Sequence, residues 1–458
     1  MRLFLGVLGC LTVASITKAD DWPQWLGPKR DGVWREAGIV EKFPAEGPKE
    51  KWKVAVGMGY SGPSVAGGKL YITDRVLAEG VKNPDSPFEK PKIRGSERVL
   101  CLDAQTGKEL WKHVYPAEYS ISYAGGPRCS PIIEGDRVYI LGAMGHLFCL
   151  ATDTGKVIWS KDFIADYESN LPVWGFAAHP LIDGDKLICL AGGSKDRLVV
   201  AFDKATGKEL WASESVGGDF GYCPPMIYEF GGKRHLIIWQ PKALLGLDPE
   251  TGKRIWKVDF ESKYALTAPT PRKVGDDGLF VTSFYTGSML VKVGADKAEV
   301  VWKSKARGEN PNQTTDLSAI MCTPVVEGSH VYGVCSYGQL RCIESATGKR
   351  VWETMQATRG KLTPMKVAAN EEPAASERWS NAFIVKHDDR YFLFNEQGDL
   401  IIAKFSPKGY EEISRAHLLD PTNKDARSRT VVWSHPAFAN KCVFVRNDLE
   451  VKCFDLSR

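Results

Sequence analysis

Eight side chains in loops that lead into short apolar runs could form a binding site: Tyr60, Arg128, Trp174, His179, Tyr222, Trp379, Trp433 and His435. Aromatic walls with a few placed polar groups suit a small molecule. A planar anion would use the ring faces and Arg128, and a sugar or a peptide end would use the same faces. The competing expectation is a funnel plugged by its own aromatics. His179 and His435 each stand directly before a proline. Two histidines invite a metal, but spacing supplies no third ligand, so hydrogen-bonded structural histidines are expected and no metal is assigned. Arg128 follows Gly125-Gly126-Pro127 and suits either an anion or a carboxylate partner. Asp166, Glu168, Asp316 and Glu309 fall in loops where a base or a Ca2+ ligand could sit. Exposed loop carboxylates are usually just solvated, and no catalytic residue is assigned. No GxSxG, HExxH, GxGxxG or Walker A pattern is present, which removes the chemistries those motifs carry. Asn312-Gln313-Thr314 is a glycosylation sequon by pattern only.

The elements that must bring these loops together come from an internal repeat. TGKxxW occurs at 106–111, 154–159, 206–211, 251–256 and 347–352, and worn copies end at Trp302 and near Ile413. Each repeat holds runs of four to six residues rich in Val, Ile, Tyr and Leu, separated by Gly/Asp turns. Such runs are strands, and the TG turn suits a tight hairpin in which Gly takes the positive φ. Four short antiparallel strands per repeat make a β-propeller blade. Inner strands open near Ser64, Ser130, His179, Pro224, Pro269, Thr323, Asn381 and His435, giving eight blades. The tryptophans Trp52, Trp111, Trp159, Trp211, Trp256, Trp302 and Trp352 recur at spacings of 59, 48, 52, 45, 46 and 50. The long first spacing implies an insertion at 75–98 within blade 1. The eighth repeat stops at Arg458 after three strands, and the orphan strand around Trp52 supplies its fourth. The expected fold is therefore all-β, an eight-bladed β-propeller whose last blade is closed by N- and C-terminal segments.

Composition agrees. The chain has 458 residues, 43% apolar and 25% charged, so a folded globular protein is expected. Sixty basic against 56 acidic side chains give no electrostatic case for nucleic acid. Residues 1–19 read as a secretory signal peptide, with a lipoprotein signal ending at Cys10 as the alternative. Residues 20–46 form a lead-in and 47–458 the propeller. No later run is long enough for a transmembrane helix, so a periplasmic or secreted protein is expected. Ten cysteines follow the signal, without any CxxC. Most should be small buried hydrophobes. Cys442 with Cys453 and Cys335 with Cys342, each across an expected hairpin, are the disulfide candidates.

The run at 103–111, AspAlaGlnThrGlyLysGluLeuTrp, and its copies resemble the tryptophan-docking repeat of pyrroloquinoline quinone (PQQ) dehydrogenases. That family also has non-catalytic members, such as the propeller lipoprotein of the outer-membrane assembly machine. The opening AspTrpProGlnTrpLeuGlyProLysArgAspGly at 21–32 looks like the lead-in of secreted PQQ-like propellers of planctomycete-type bacteria. The resemblance implies that the seven repeat tryptophans dock each outer strand on a neighbouring blade. For an enzyme it would imply PQQ, Ca2+ held by a Glu/Asn pair, a catalytic Asp and a vicinal Cys-Cys disulfide. This chain has no Cys-Cys dipeptide, and no Glu/Asn pair can be placed on the family pattern. The expected function is an exported, non-catalytic module that binds a small ligand or an extracytoplasmic protein on its aromatic axial face. A PQQ-dependent dehydrogenase acting on an alcohol or sugar is the alternative.

Overall fold

The computed structural model describes residues 20–194, 196–305, 314–359 and 378–458. The expected signal peptide at 1–19, Cys10, Glu309 and Asn312 lie outside the described residues. Among the described residues there are eight four-stranded antiparallel sheets and one two-stranded hairpin. Seven blades follow chain order, from Ser64–Ala66 in blade 1 to Gly409–His417 in blade 7. Blade 8 is assembled from Ala437–Ala439, Cys442–Arg446, Glu450–Asp455 and, as its outer strand, Glu50–Ala55 from the other end of the chain. Val54 pairs with Val451 and Trp52 with Cys453, so the edge that the last strand would expose is covered. The insertion in blade 1 is narrower than the sequence suggests. Residues 75–77 pair with 95–97 as strand extensions, and only 78–94 leave the sheet.

One contact repeats around the ring. An outer-strand tryptophan lies flat on the turn glycine of the next blade, because only a residue without Cβ lets the indole come so close. A Cβ on Gly155 would stand 2.4 Å from Trp111, and one on Gly207 would stand 2.7 Å from Trp159. The same holds for Trp52 on Gly107, Trp211 on Gly252 and Trp302 on Gly348. Except in Trp211, whose indole N–H has no partner among the described residues, the indole N–H then donates to a carbonyl of the same turn, Trp52 to Ala104 at 3.0 Å and Trp111 to Thr152 at 2.8 Å. Trp352 donates to Ser406 at 2.8 Å. The turn is preformed by its acid: Asp103 Oδ1 accepts from the Thr106 N–H and hydroxyl at 2.9 and 2.8 Å. Trp256 differs. Its N–H donates to Nδ1 of His235 in its own blade at 3.0 Å, since the next turn is the worn copy at 294–298.

The ten described cysteines are buried and free. Neither candidate disulfide is present. Cys453 stands opposite Phe444 while Cys442 stands opposite Asp455. Cys342 stands between Tyr332 and Trp352, and Cys335 Sγ accepts from the Ser318 N–H at 3.3 Å. Cys101, Cys149, Cys342 and Cys453 face Trp111, Trp159, Trp352 and Trp52 across the outer hairpins. They are small packing partners of the docking ring.

Two outcomes test this architecture. Gly155→Ala forces a side chain into Trp111 at φ +66, whereas Gly135→Ala, at φ +59, meets nothing within 4 Å. In urea unfolding the first should cost roughly 2–4 kcal/mol and the second about 1–2; equal costs would mean that the stack does not set the glycine. Deleting residues 47–56 should lower the thermal midpoint of the whole ring, and a near-normal midpoint would contradict closure by Glu50–Ala55.

Candidate functional site

In an antiparallel four-stranded blade, the loops into the inner strand and between the middle strands share one end. That end is called the upper face here. The lower end, and the axis itself, are taken by residues 20–46. Trp22 exchanges two backbone hydrogen bonds with Val65 at 2.8 and 2.9 Å. Pro23 accepts from Ile133, and Trp34 donates to Lys386 at 2.8 Å. The lead-in thus pairs with inner-strand edges in several blades as it crosses. Trp25 and Arg30, at its middle, are 6% and 4% exposed. Arg30 Nη1 donates to the Pro180 carbonyl at 2.7 Å. Burial pulls the Arg30 guanidinium down to about 10, which leaves it charged.

His179 and His435 belong to this plug. The Trp25 ring stacks on His179 at 5.0 Å and meets His435 edge-on at 6.2 Å, and the two imidazoles are 5.6 Å apart. None of their ring contacts is to the other six predicted site residues, so the eight do not form one pocket. The lead-in explains this: it sets the Trp25 indole against both imidazoles, where either an axial pocket or a funnel plugged by its own aromatics was expected. His435 also borders a cavity of about 20 Å3 lined by Trp22, Trp25, Cys322 and Phe383, room for about one water. Burial pushes His179 well below the usual imidazole range, with His435 and Arg30 adding to the effect. Burial pushes His435 down to about 4.

The remaining six lie at the upper face, where loops fill the mouth. Arg128 donates to the backbone carbonyls of Gly126, Ser122 (3.1 Å) and Tyr123 (2.6 Å) and lies 5.1 Å from the Tyr60 ring centre. Its donors hold the loop that carries it. Trp174 meets Tyr222 edge-on at 5.5 Å. Trp433 packs on Tyr123 at 5.6 Å, Tyr123 on Phe88 at 5.6 Å, and Phe88 on Trp379 at 6.2 Å. Phe88 comes from the blade 1 insertion, which therefore reaches across the mouth to the loops of blades 7 and 8.

Two buried carboxylates fix this cap. Glu396, 3% exposed, accepts from Ser380 at 2.8 Å and from the Trp433 indole at 3.2 Å, and pairs with Arg429. Arg429 also pairs with Asp425 at 3.1 Å. Glu97 accepts from the Tyr115 and Tyr119 hydroxyls and from the Ala143 N–H at 3.0 Å. The Arg75 guanidinium lies 3.8 Å from the Tyr119 ring centre and donates to Ile93 at 2.9 Å, which anchors the base of the insertion. Sequence reading missed Phe88, Tyr123, Glu396 and Arg429. For Phe88 the signal was present, a lone aromatic in a charged insertion. For Glu396 there was none, since its partners are distant in the chain.

A quinone with calcium requires a stacking slot and convergent oxygen ligands. Among the described residues no three of His, Cys, Asp and Glu stand where they could hold a metal ion. Arg128 is committed to carbonyls, and the loop aromatics pack on one another. The described residues do not fit that group.

A family model described as outer membrane protein assembly factor BamB matches residues 95–237 and 241–458. Uncharacterized proteins of Rickettsia prowazekii and Rickettsia conorii are 23% and 24% identical over 228 and 231 residues, 49% of this chain in each case. The chain spans about half the length of these curated relatives, 52% of each. The quinohemoprotein alcohol dehydrogenase of Comamonas testosteroni superposes with a TM-score of 0.59 at 12% identity, covering 95% of this chain and 80% of that one. At that identity the likeness concerns the fold. No helix among the described residues is long and apolar enough to cross a membrane.

The plug has a pH signature. His179 and His435 are depressed in the folded state, so acid protonates the unfolded chain first. Stability is full above the unfolded value near 6.5 and falls as pH drops toward about 4, by up to about 1.4 kcal/mol per pH unit for each histidine. His113 and His235 are also depressed by burial, and His417 is raised by its Asp399 and Asp420 partners against burial, so the variant difference is the readout. His179→Gln with His435→Gln should flatten the dependence of the urea midpoint between pH 6.5 and 4.5. An unchanged slope would contradict a neutral buried pair.

Proposed function

The chain belongs to the family described as outer membrane protein assembly factor BamB, and on that premise we propose that it is an exported, non-catalytic binding module that engages an extracytoplasmic protein through its upper face. The observation that carries the reading is the distribution of exposed apolar side chains. Outside the strands, the exposed large apolar residues among those described are Phe88, Ile164, Val173, Tyr264 and Leu449. All five belong to upper-face loops. The other exposed large apolar side chains lie within strands, chiefly the outer ones, as with Leu110, Val157, Leu210 and Val300, so of the two ends of the ring only the upper one displays apolar side chains from its loops, and such groups suit protein docking. The lower face presents Gly/Asp/Lys turns and the docked lead-in.

Several observations support binding over turnover. The axis is filled by Trp25 and Arg30 from below and by Phe88, Tyr123 and Trp433 from above. The buried acids Glu396 and Glu97 are committed to holding loops. In its periplasmic or secreted setting, the protein would present a preformed surface, as a secreted PQQ-like propeller of the planctomycete type would. The predicted ligand residues Trp379 and Trp433 then contribute by shaping this surface.

The test sets this reading against the PQQ-dependent dehydrogenase. Purified protein is mixed with PQQ and Ca2+, followed by absorbance and by dye-linked oxidation of an alcohol and sugar panel. The expected result is no quinone absorbance change and no turnover. PQQ-dependent dye reduction above the protein-free control would overturn the reading.

A further inference from the structure

We propose that the lower-face groove between blades 6 and 7 binds a primary alkylammonium group, as on a lysine side chain or a small free amine. The groove lies at the opposite end of the ring from the upper-face surface and does not rest on that reading.

The repeat itself shows what belongs at this place. In blades 1 to 4 the second strand opens with Lys69, Arg137, Lys186 and Lys233. Each sends its cation across the junction to the turn before the outer strand of the next blade. Lys69 reaches Asp153 at 2.5 Å, Lys186 reaches Glu250 at 2.8 Å and Lys233 reaches Asp296 at 2.5 Å. Arg137 donates to the Ala205 carbonyl at 3.4 Å. Blade 6 has His330 instead. Its ring is shorter, and its Nδ1 meets the Ser329 hydroxyl of its own hairpin at 3.2 Å. Beside it lies a groove of about 290 Å3, near the lower size limit of small-ligand sites. Of the other blades, blade 7 turns Arg390 to the lead-in carbonyls of Ile39 and Val40, and blades 5 and 8 open the strand with Gly278 and Cys442.

The acceptor side of the junction is kept. The turn at 406–409 carries no acid, but Asp388, from the first hairpin of blade 7, lines the groove. Two other carboxylates line it and are already paired, Glu327 with Lys386 at 2.6 Å and Asp389 with Lys404, with Arg390 Nη1 3.9 Å from Asp389. Asp388 differs. Its side chain is 75% exposed, and the group beside it is Nε2 of His387 at 3.5 Å, a ring whose Nδ1 is engaged with the Trp34 carbonyl at 3.0 Å. Asp388 has no Lys or Arg partner among the described residues. Lys408, in the turn of blade 7, does not line the groove. Asp388 thus stands where Asp153, Glu250 and Asp296 stand elsewhere, without the cation that they hold.

The walls suit the same group. Tyr332, Tyr391 and Phe405 line the groove, and an alkyl stem packs on such rings while its head stays polar. Tyr391 is 4% exposed, and its hydroxyl has no hydrogen-bond partner among the described residues. Burial and the Glu327 carboxylate push this phenol up, so it stays protonated and its oxygen can accept from an ammonium. A ligand ammonium therefore completes the junction with a charge-assisted bond to Asp388.

The experiment is saturation-transfer difference NMR on the full purified protein. The probes are Nα-acetyl-lysine N-methylamide, n-butylamine and the Nε-acetylated form of the lysine probe. Transfer to the methylene protons beside the amine is expected, saturating on the order of 1 mM, with none to the Nε-acetylated probe. Asp388→Asn, at a φ of 50° that Asn tolerates, should weaken binding by about tenfold or more. His330→Lys supplies the cation from within, so it should abolish binding without lowering the thermal midpoint. Tighter binding of the lysine probe than of butylamine upholds the site with a polypeptide as its source of ammonium, and the reverse order upholds it with a free amine. No transfer, equal transfer to the Nε-acetylated probe, or affinity unchanged in either variant would overturn the proposal. So would a lowered midpoint in His330→Lys, because lysine would then not fit the groove.

Discussion

The contact between an indole and a glycine turn is the constraint on which the molecule depends. A blade buries one face against each neighbour, and each junction needs a plate of fixed size in a fixed place. The tryptophan supplies the plate, the glycine at positive φ supplies the approach, and the acid three residues before Thr holds the turn in shape. The indole N–H to a turn carbonyl sets the angle. Among the described residues the glycine stack recurs at five junctions, those of Trp52, Trp111, Trp159, Trp211 and Trp302, and each fixes one blade on the next. The last junction needs Trp52, so the first strand must join the last blade. The blade 4 exception is instructive: where the turn is worn, the indole turns to His235 in its own sheet.

A rigid ring creates an axial channel, and this chain fills it. The lead-in pairs with inner-strand edges as it crosses and delivers Trp25 against two neutral imidazoles, with Arg30 on backbone carbonyls beside them. Above, the blade 1 insertion carries Phe88 over the mouth. Both fillers depend on ring geometry, because their anchoring partners come from blades far apart in sequence. With the axis occupied, the surface available for recognition moves outward to the upper loops. There, buried acids fix the loops and leave rings and cations at the surface.

Much of this was legible in the sequence, for physical reasons that differ by element. The TGKxxW turn encodes its own structure locally, so blade number, strand order and closure by residues 50–55 followed from it. Inner strands open within about three residues of the positions read from Pro and Ser. The insertion at 75–98 was read too wide, since Arg75 to Leu77 are polar and apolar by turns and pair as strand. The site was less legible. Arg128 suited either an anion or a carboxylate partner, but Gly126, Ser122 and Tyr123 place their carbonyls around it, which no spacing reveals. His179 and His435 were rightly grouped by their place in the repeat, but the indole that packs on both comes from residue 25, and His179, expected to be hydrogen-bonded, is held by ring packing, with no partner on either ring nitrogen among the described residues. Glu396 and Arg429 meet only because loops of two blades converge. Long-range polar partners leave no local mark, whereas turn chemistry does.

The ring is a single closed unit with its axis held by the lead-in. Native-state hydrogen exchange tests this most directly. The amides of Trp22, Trp34 and Val40, each bonded to a blade or to the C-terminal tail, and those of Glu50–Ala55 should exchange as slowly as the inner hairpins, with one common opening free energy. Fast exchange at these amides, with the blades still protected, would mean that the lead-in and the closing strand are loose attachments to an otherwise self-sufficient ring.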